Sequence, residues 1–148
     1  MFPSTLSKVF FFFHILSIVV AFAPASVHSV LANEFAQDSD STLVRKFSGL
    51  CAKNGQRIYA PALVLAGLFG MLLVARDDTI ADWDQGWVGM ALVTWIAMNG
   101  VVHGLIIRSE KRVAQGDDSA KKTIELGGMI VTLLFLFMLY LMIWKPGL

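Results

Sequence analysis

The sequence predicts an all-α protein, a four-helix transmembrane bundle. The 148 residues include four stretches free of Asp, Glu, Lys and Arg, at positions 9–33, 58–75, 85–107 and 126–144, which run 25, 18, 23 and 19 residues. Roughly 20 helical residues cross the hydrocarbon core of a bilayer, so each stretch is long enough, or nearly so, to span it. Composition agrees: hydrophobic residues make up 56% and charged residues 16%, against about a quarter charged in a soluble domain. The chain therefore forms a single integral membrane domain over residues 1–148, embedded in a lipid bilayer. A net charge of +1 gives no basic excess to attract nucleic acid. The single cysteine, Cys51, excludes an internal disulfide.

The first stretch follows Lys8 and ends near Asn33. With small residues at Ala23 and Ala25 it also has the outline of a signal peptide with an A-x-A cleavage site. Its 25 uncharged residues exceed the usual apolar core of such a signal, and a retained span is expected. Next comes a short interfacial helix: Leu43, Val44, Phe47, Leu50 and Cys51 recur at helical spacing beside Arg45, Lys46 and Lys53, with Asp40 or Ser41 as a cap. The second stretch opens at Pro61, a residue tolerated in a first helical turn. The third follows an acidic loop, and the fourth ends before Pro146.

Loop charge orders these spans. Lys and Arg accumulate on the cytoplasmic side of membrane proteins, and in short loops this bias sets topology. The first loop holds Arg45, Lys46, Lys53 and Arg57, the third holds Arg108, Lys111, Arg112, Lys121 and Lys122, and the middle loop holds only Arg76. The first and third loops are thus expected in the cytoplasm, with the N-terminus, middle loop and C-terminus outside. Trp83, Trp87 and Trp144, with Tyr140, then fall at the outer boundary, where aromatic residues favour the interface.

Polar residues within the spans are the functional candidates, because they are expensive in lipid and normally face the bundle. His14, His28 and His103 qualify. His14, Ser17, Ala21, Ala25 and His28 share one narrow face of the first helix, while Trp95, Asn99 and His103 share a face of the third. Beside the latter runs a strip of Gly86, Gly89, Ala97, Gly100 and Gly104. Gly100 and Gly104 form a GxxxG motif, and Ala66 and Gly70 repeat the small-xxx-small spacing on the second helix. Such strips let helices approach closely, within the bundle or against another membrane protein.

At 1.5 Å per residue, His28 and His103 both lie about 6 to 8 Å inside the cytoplasmic ends of their spans, and His14 lies about 21 Å from His28. A haem held by two imidazoles, or by imidazole and thioether, needs its ligands level on facing helices. His28 with His103 fits the first pattern, and His14 with Met71 or Met90 fits the second. Asp77, Asp78, Asp82 and Asp84 cluster in the outer loop but lack the glycine and closing glutamate of a calcium loop, and no metal site is expected there. There is no P-loop, GxSxG, HExxH or CxxC, and no span contains a carboxylate for proton coupling.

The run 8–36, with His14 followed by Ala21, Phe22 and Ala23, resembles the first helix of a group of small bacterial membrane proteins. The group comprises predicted integral membrane proteins of unknown function, copper-resistance-D-like proteins and HemJ-type haem-dependent protoporphyrinogen oxidases. The resemblance continues at Gly86-Trp87, at His103-Gly104 with Arg108, Lys111 and Arg112, and at residues 142–146. It implies a bundle of four or five helices in the bacterial inner membrane, bound haem b, and a functional histidine corresponding to His14. The oxidases also carry a third-helix lysine shortly after the Gly-Trp pair. Here that place reads Met90-Ala91, so their enzymatic activity does not follow. The expectation is a haem b-binding redox module with His14, His28, His103 and Met90 as candidate ligands. The competing classes are a non-enzymatic accessory or scaffold protein and a small permease for a metal or metabolite.

Overall fold

A computed structural model describes residues 4–37, 41–76 and 83–146. Among them the chain is entirely helical: α1 (Thr5–Gln37), α2 (Ser41–Asn54), α3 (Ala60–Arg76), α4 (Gly86–Val101), α5 (Ile107–Ala114) and α6 (Lys121–Trp144). Four helical stretches are long and apolar enough to cross a membrane, Thr5–Ala23, Thr42–Arg76, Gly86–Ala114 and Asp118–Trp144. The middle two exceed the expected spans because each joins two helices through a π turn, at Gly55–Tyr59 and Val102–Ile106.

Pro61 accounts for the first π turn. Proline has no N–H, and its ring clashes with the carbonyl four residues back. The chain widens just before it, with the Ala60 N–H reaching back to the Gly55 carbonyl, and helical backbone continues on both sides. The segment expected as a short interfacial helix is helical, as α2, and its backbone continues through the π turn into α3. At 35 residues, this rod is about 50 Å long against the roughly 30 Å of a hydrocarbon core. The second π turn has the same wide bond, Ile107 N–H to the Val102 carbonyl, without a proline beside it. Of the expected caps, Ser41 is the first residue of α2, and its side chain lies outside the described residues, as do Asp40 and the acidic residues Asp77, Asp78 and Asp82.

Packing follows residue size. α1 lies along α3 through rings, Phe13 stacking on Phe69 with centroids 5.4 Å apart, and touches α6 where Phe22 stacks on Phe135 at 4.3 Å. α4 lies along α6, with Trp87, Val88 and Leu141 forming one buried cluster. Leu63, Met98 and Met138 join α3, α4 and α6 in a second. Beyond the apolar runs α2 packs on α5 through small side chains: Ala52 is buried, and a Cβ at Gly49 would sit 3.7 Å from that of Ala114. This contact gathers the basic segments of α2 and α5 at one end of the bundle. From α5 the chain turns into α6 through Gly116, whose φ of 97° suits a residue without a Cβ. Asp117 then caps the 3-10 turn Asp118–Ala120 by accepting the Ser119 N–H.

Candidate functional site

Between the α1–α3 pair and the α4–α6 pair lies a cavity of about 440 Å³. It runs from Phe22 and Leu63 at mid-bundle to Trp83, Trp87 and Lys145 at the end where α4 begins and α6 stops. Among the described residues that line it, His14 is the only imidazole and Lys145 the only formal charge. The rest of the wall is almost wholly apolar and includes Met71, Met98, Met138 and Met142.

The backbone of α3 positions the imidazole. His14 is buried, and its Nδ1 lies 2.7 Å from the carbonyl oxygen of Ala66. A carbonyl has no proton to give, so Nδ1 carries the hydrogen and donates. In the neutral ring Nε2 is then the basic nitrogen. Gly70, one turn on, permits the approach, since a Cβ there would lie 3.2 Å from His14 Cε1. Trp95 of α4 uses the same helix: its Nε1–H donates to the Leu63 carbonyl at 2.8 Å. Its ring lies over Gly67, where any Cβ would collide with the indole. The small residues Ala66, Gly67 and Gly70 thus expose two carbonyls of α3 to donors from the helices on either side.

At the interfacial end, Lys145 is the residue just past α6, held in a left-handed conformation (φ 43°) with its N–H bonded to the Leu141 carbonyl. Its Nζ stands 5.5 Å from the centroid of the Trp87 ring, a cation–π arrangement. Trp87 is buried here, its Nε1–H donating to Gln85 Oε1, while Trp83 and Trp144 are exposed. Deeper in, Asn99 donates Nδ2–H to the Trp95 carbonyl at 2.9 Å. Its Oδ1 is the one buried side-chain oxygen or nitrogen without a hydrogen-bond partner among the described residues.

The other sequence candidates separate. Met71 lines the cavity with His14. Met90 is 41% exposed and does not line it, because the inward stripe of α4 runs through Trp87, Ala91, Trp95 and Met98 and leaves Met90 on the flank. His103 lies in the second π turn, exposed, and lines neither this cavity nor the one described below. His28 lies within α1, but its side chain is outside the described residues. Of the two small-residue strips, Ala66 and Gly70 are occupied by α1, whereas a Cβ at Gly86, Gly89, Gly100 or Gly104 meets nothing within 4 Å. Trp95 as a donor to α3 and Lys145 as the cavity's charge were not anticipated. An aromatic N–H donor in a span opposite a glycine-rich helix is the signal for the first.

Comparison with protein-family models, with curated proteins and with solved structures returns no match to this chain. The likeness to copper-resistance-D-like and HemJ-type proteins therefore rests on the sequence motifs alone.

Proposed function

We propose that the chain is a haem b-binding redox module of the bacterial inner membrane, with His14 Nε2 as the residue nitrogen that would hold the iron. One observation carries this reading. The Nδ1–H bond to the Ala66 carbonyl fixes the tautomer that leaves Nε2 basic, and a histidine that ligates a metal almost always donates its other ring N–H in this way. The apolar wall with Met71 suits a flat macrocycle and offers a thioether as a second ligand. Lys145, with its charge at the interfacial end, suits propionate groups. Bound haem would supply one-electron chemistry; the protein's part is to orient the imidazole, exclude water and keep the site dry. Protoporphyrinogen oxidase activity is left out of the proposal, since Met90-Ala91 stands where those enzymes carry a lysine. We place both termini outside, because nine Lys and Arg residues of the first and third loops lie against one in the middle loop.

The test is a reduced-minus-oxidised spectrum of the protein purified in mild detergent from cells with ample haem supply. A Soret band lost in His14→Ala and kept in His28→Ala and His103→Ala is expected. A band surviving His14→Ala but lost in both other variants would move the site to the His28 and His103 pair, and no band in any preparation rejects the haem reading.

A second reading has its own observation. The GxxxG pair that runs from α4 into the second π turn, open around Gly100 and Gly104, suits a non-enzymatic accessory role in which another membrane helix packs there. In that case the protein shows no Soret band, and Gly100→Leu with Gly104→Leu abolishes a higher-mass species in native electrophoresis.

A further inference from the structure

At the basic end of the bundle a second cavity, about 330 Å³, lies between α5 and the run of α2 into its π turn. Its floor is made by Gly49, Ala52 and Ala114, and its rim by Lys53, Arg57 and Lys111 with the amides of Gln56 and Gln115. The small floor residues let α2 and α5 lie close, so that cations from the two helices converge over them.

The charges around this crevice are unevenly matched. Arg112 pairs with Asp117 at 2.6 Å and Lys121 with Asp118 at 3.0 Å, both away from it. Lys53, Arg57 and Lys111 form no salt bridge among the described residues. Lys111 Nζ donates to Gln56 Oε1 at 3.1 Å, a neutral partner that orients the ammonium without cancelling it. The nearby carboxyl of Glu110 faces elsewhere: it stands 3.8 Å from where a Gly55 Cβ would be and does not line the crevice. Three like charges in one concavity repel one another, and an anion with several oxygens relieves this by accepting from each.

Height along the bundle selects the anion. Arg57 immediately precedes the uncharged run 58–75, and Lys111 lies four residues past the run 85–107, about 6 Å beyond its end. That is the level of lipid phosphates when those runs fill the hydrocarbon core. We propose that this crevice binds the phosphate headgroup of an anionic phospholipid. Its phosphate oxygens sit among Lys53, Arg57 and Lys111, and Gln56 and Gln115 serve the headgroup hydroxyls. Basic crevices between helices at this level are a known design for such headgroups. The proposal is independent of what occupies the central cavity.

The full-length protein in mild detergent is examined by native mass spectrometry with added phosphatidylglycerol or with phosphatidylcholine carrying the same acyl chains. Wild type is expected to retain phosphatidylglycerol preferentially. Lys53→Gln/Arg57→Gln/Lys111→Gln is expected to weaken that retention by roughly fivefold per charge, on the order of a hundredfold together. A control, Lys46→Gln/Arg108→Gln/Lys122→Gln, removes the same charge from exposed positions at the same end and is expected to retain the lipid. Lys53→Arg/Lys111→Arg is expected to bind as wild type does, which separates lost binding from lost folding. Equal losses in both triple variants, or no preference for phosphatidylglycerol, overturn the proposal. So does displacement of the lipid by millimolar inorganic phosphate or glycerol phosphate, which would assign the crevice to a soluble phosphate.

Discussion

His14 and Trp95 donate ring N–H groups to two carbonyls of one helix, those of Ala66 and Leu63, three residues apart on α3. The donors come from α1 and α4, so α3 is the shared wall of the bundle. Side-chain hydrogen bonds across membrane helices contribute about 0.6 to 2 kcal/mol each. They also fix orientation, and here they set which nitrogen of His14 is basic and where the indole of Trp95 stands in the cavity.

The glycines that make this possible respond differently to substitution. Gly67→Ala is expected to lower stability by about 1 to 3 kcal/mol, the usual result of overpacking, because its Cβ would stand 2.6 Å from Trp95 Cδ2 in an indole tied to Leu63. Gly70→Ala, at 3.2 Å from His14 Cε1, is expected to cost less and, on the proposed haem reading, to weaken retention of the haem. Gly100→Ala meets open space and is expected to hold or gain up to about 1 kcal/mol from helix propensity. Thermal unfolding in detergent ranks the three. A Gly67→Ala protein as stable as wild type contradicts the ring-over-glycine contact.

Asn99 offers a test of a different kind. Its Oδ1 is buried without a partner among the described residues, a situation that costs about 1 to 3 kcal/mol. Asn99→Leu gives up one bond, Nδ2–H to the Trp95 carbonyl, and relieves that cost, so the midpoint of unfolding should stay level or rise. A clear fall in the midpoint would show that Oδ1 holds a water or a ligand group.

Legibility in the sequence divided along physical lines. Charge and apolar length are one-dimensional properties, so four helices long and apolar enough to cross a membrane, and the burial of His14, were readable. Facing is not one-dimensional. Which side of α4 points inward depends on what packs against it, and the GxxxG strip, a plausible inner face by composition, lies outside because Trp87, Trp95 and Met98 supply the inner one. His103 shows the other loss: a π turn shifts the residues around it, and extrapolating 100° per residue from Trp95 misplaces them. Pro61 was read as a helix start; it instead lies about five turns into a helical run that begins at Ser41 and passes through the π turn into α3.

Topology is testable with introduced cysteines, and the native one is unsuitable, since Cys51 is buried in α2, which packs on α5, and would escape labelling on either side. In a Cys51→Ala background, Asp84→Cys and Lys122→Cys place thiols on exposed positions at opposite ends of the bundle. An impermeant maleimide added to intact spheroplasts is expected to label Asp84→Cys alone. Labelling of Lys122→Cys alone would invert the orientation we propose.

The turn into α6 gives a prediction in pH. Asp117 accepts from the Ser119 hydroxyl and amide, and from Arg112 Nε and Nη2 at 2.9 and 2.6 Å. These bonds, the Ser119 hydroxyl foremost and Arg112 next, hold its carboxyl below the ordinary value of 3.8. A carboxylate whose folded pKa is depressed supports the fold above its unfolded pKa and loses that support as pH falls through the folded one. The turn should thus be unchanged through neutral and mildly acidic pH and loosen only in strong acid. The Ser119 amide resonance, followed in detergent by NMR, should titrate with a midpoint below 3.8. In Asp117→Asn the side-chain oxygen still accepts from Ser119 but has no proton to gain, so the transition should vanish. A wild-type midpoint at or above the ordinary value would show that the Asp117 bonds to Ser119 and Arg112 do not persist in solution.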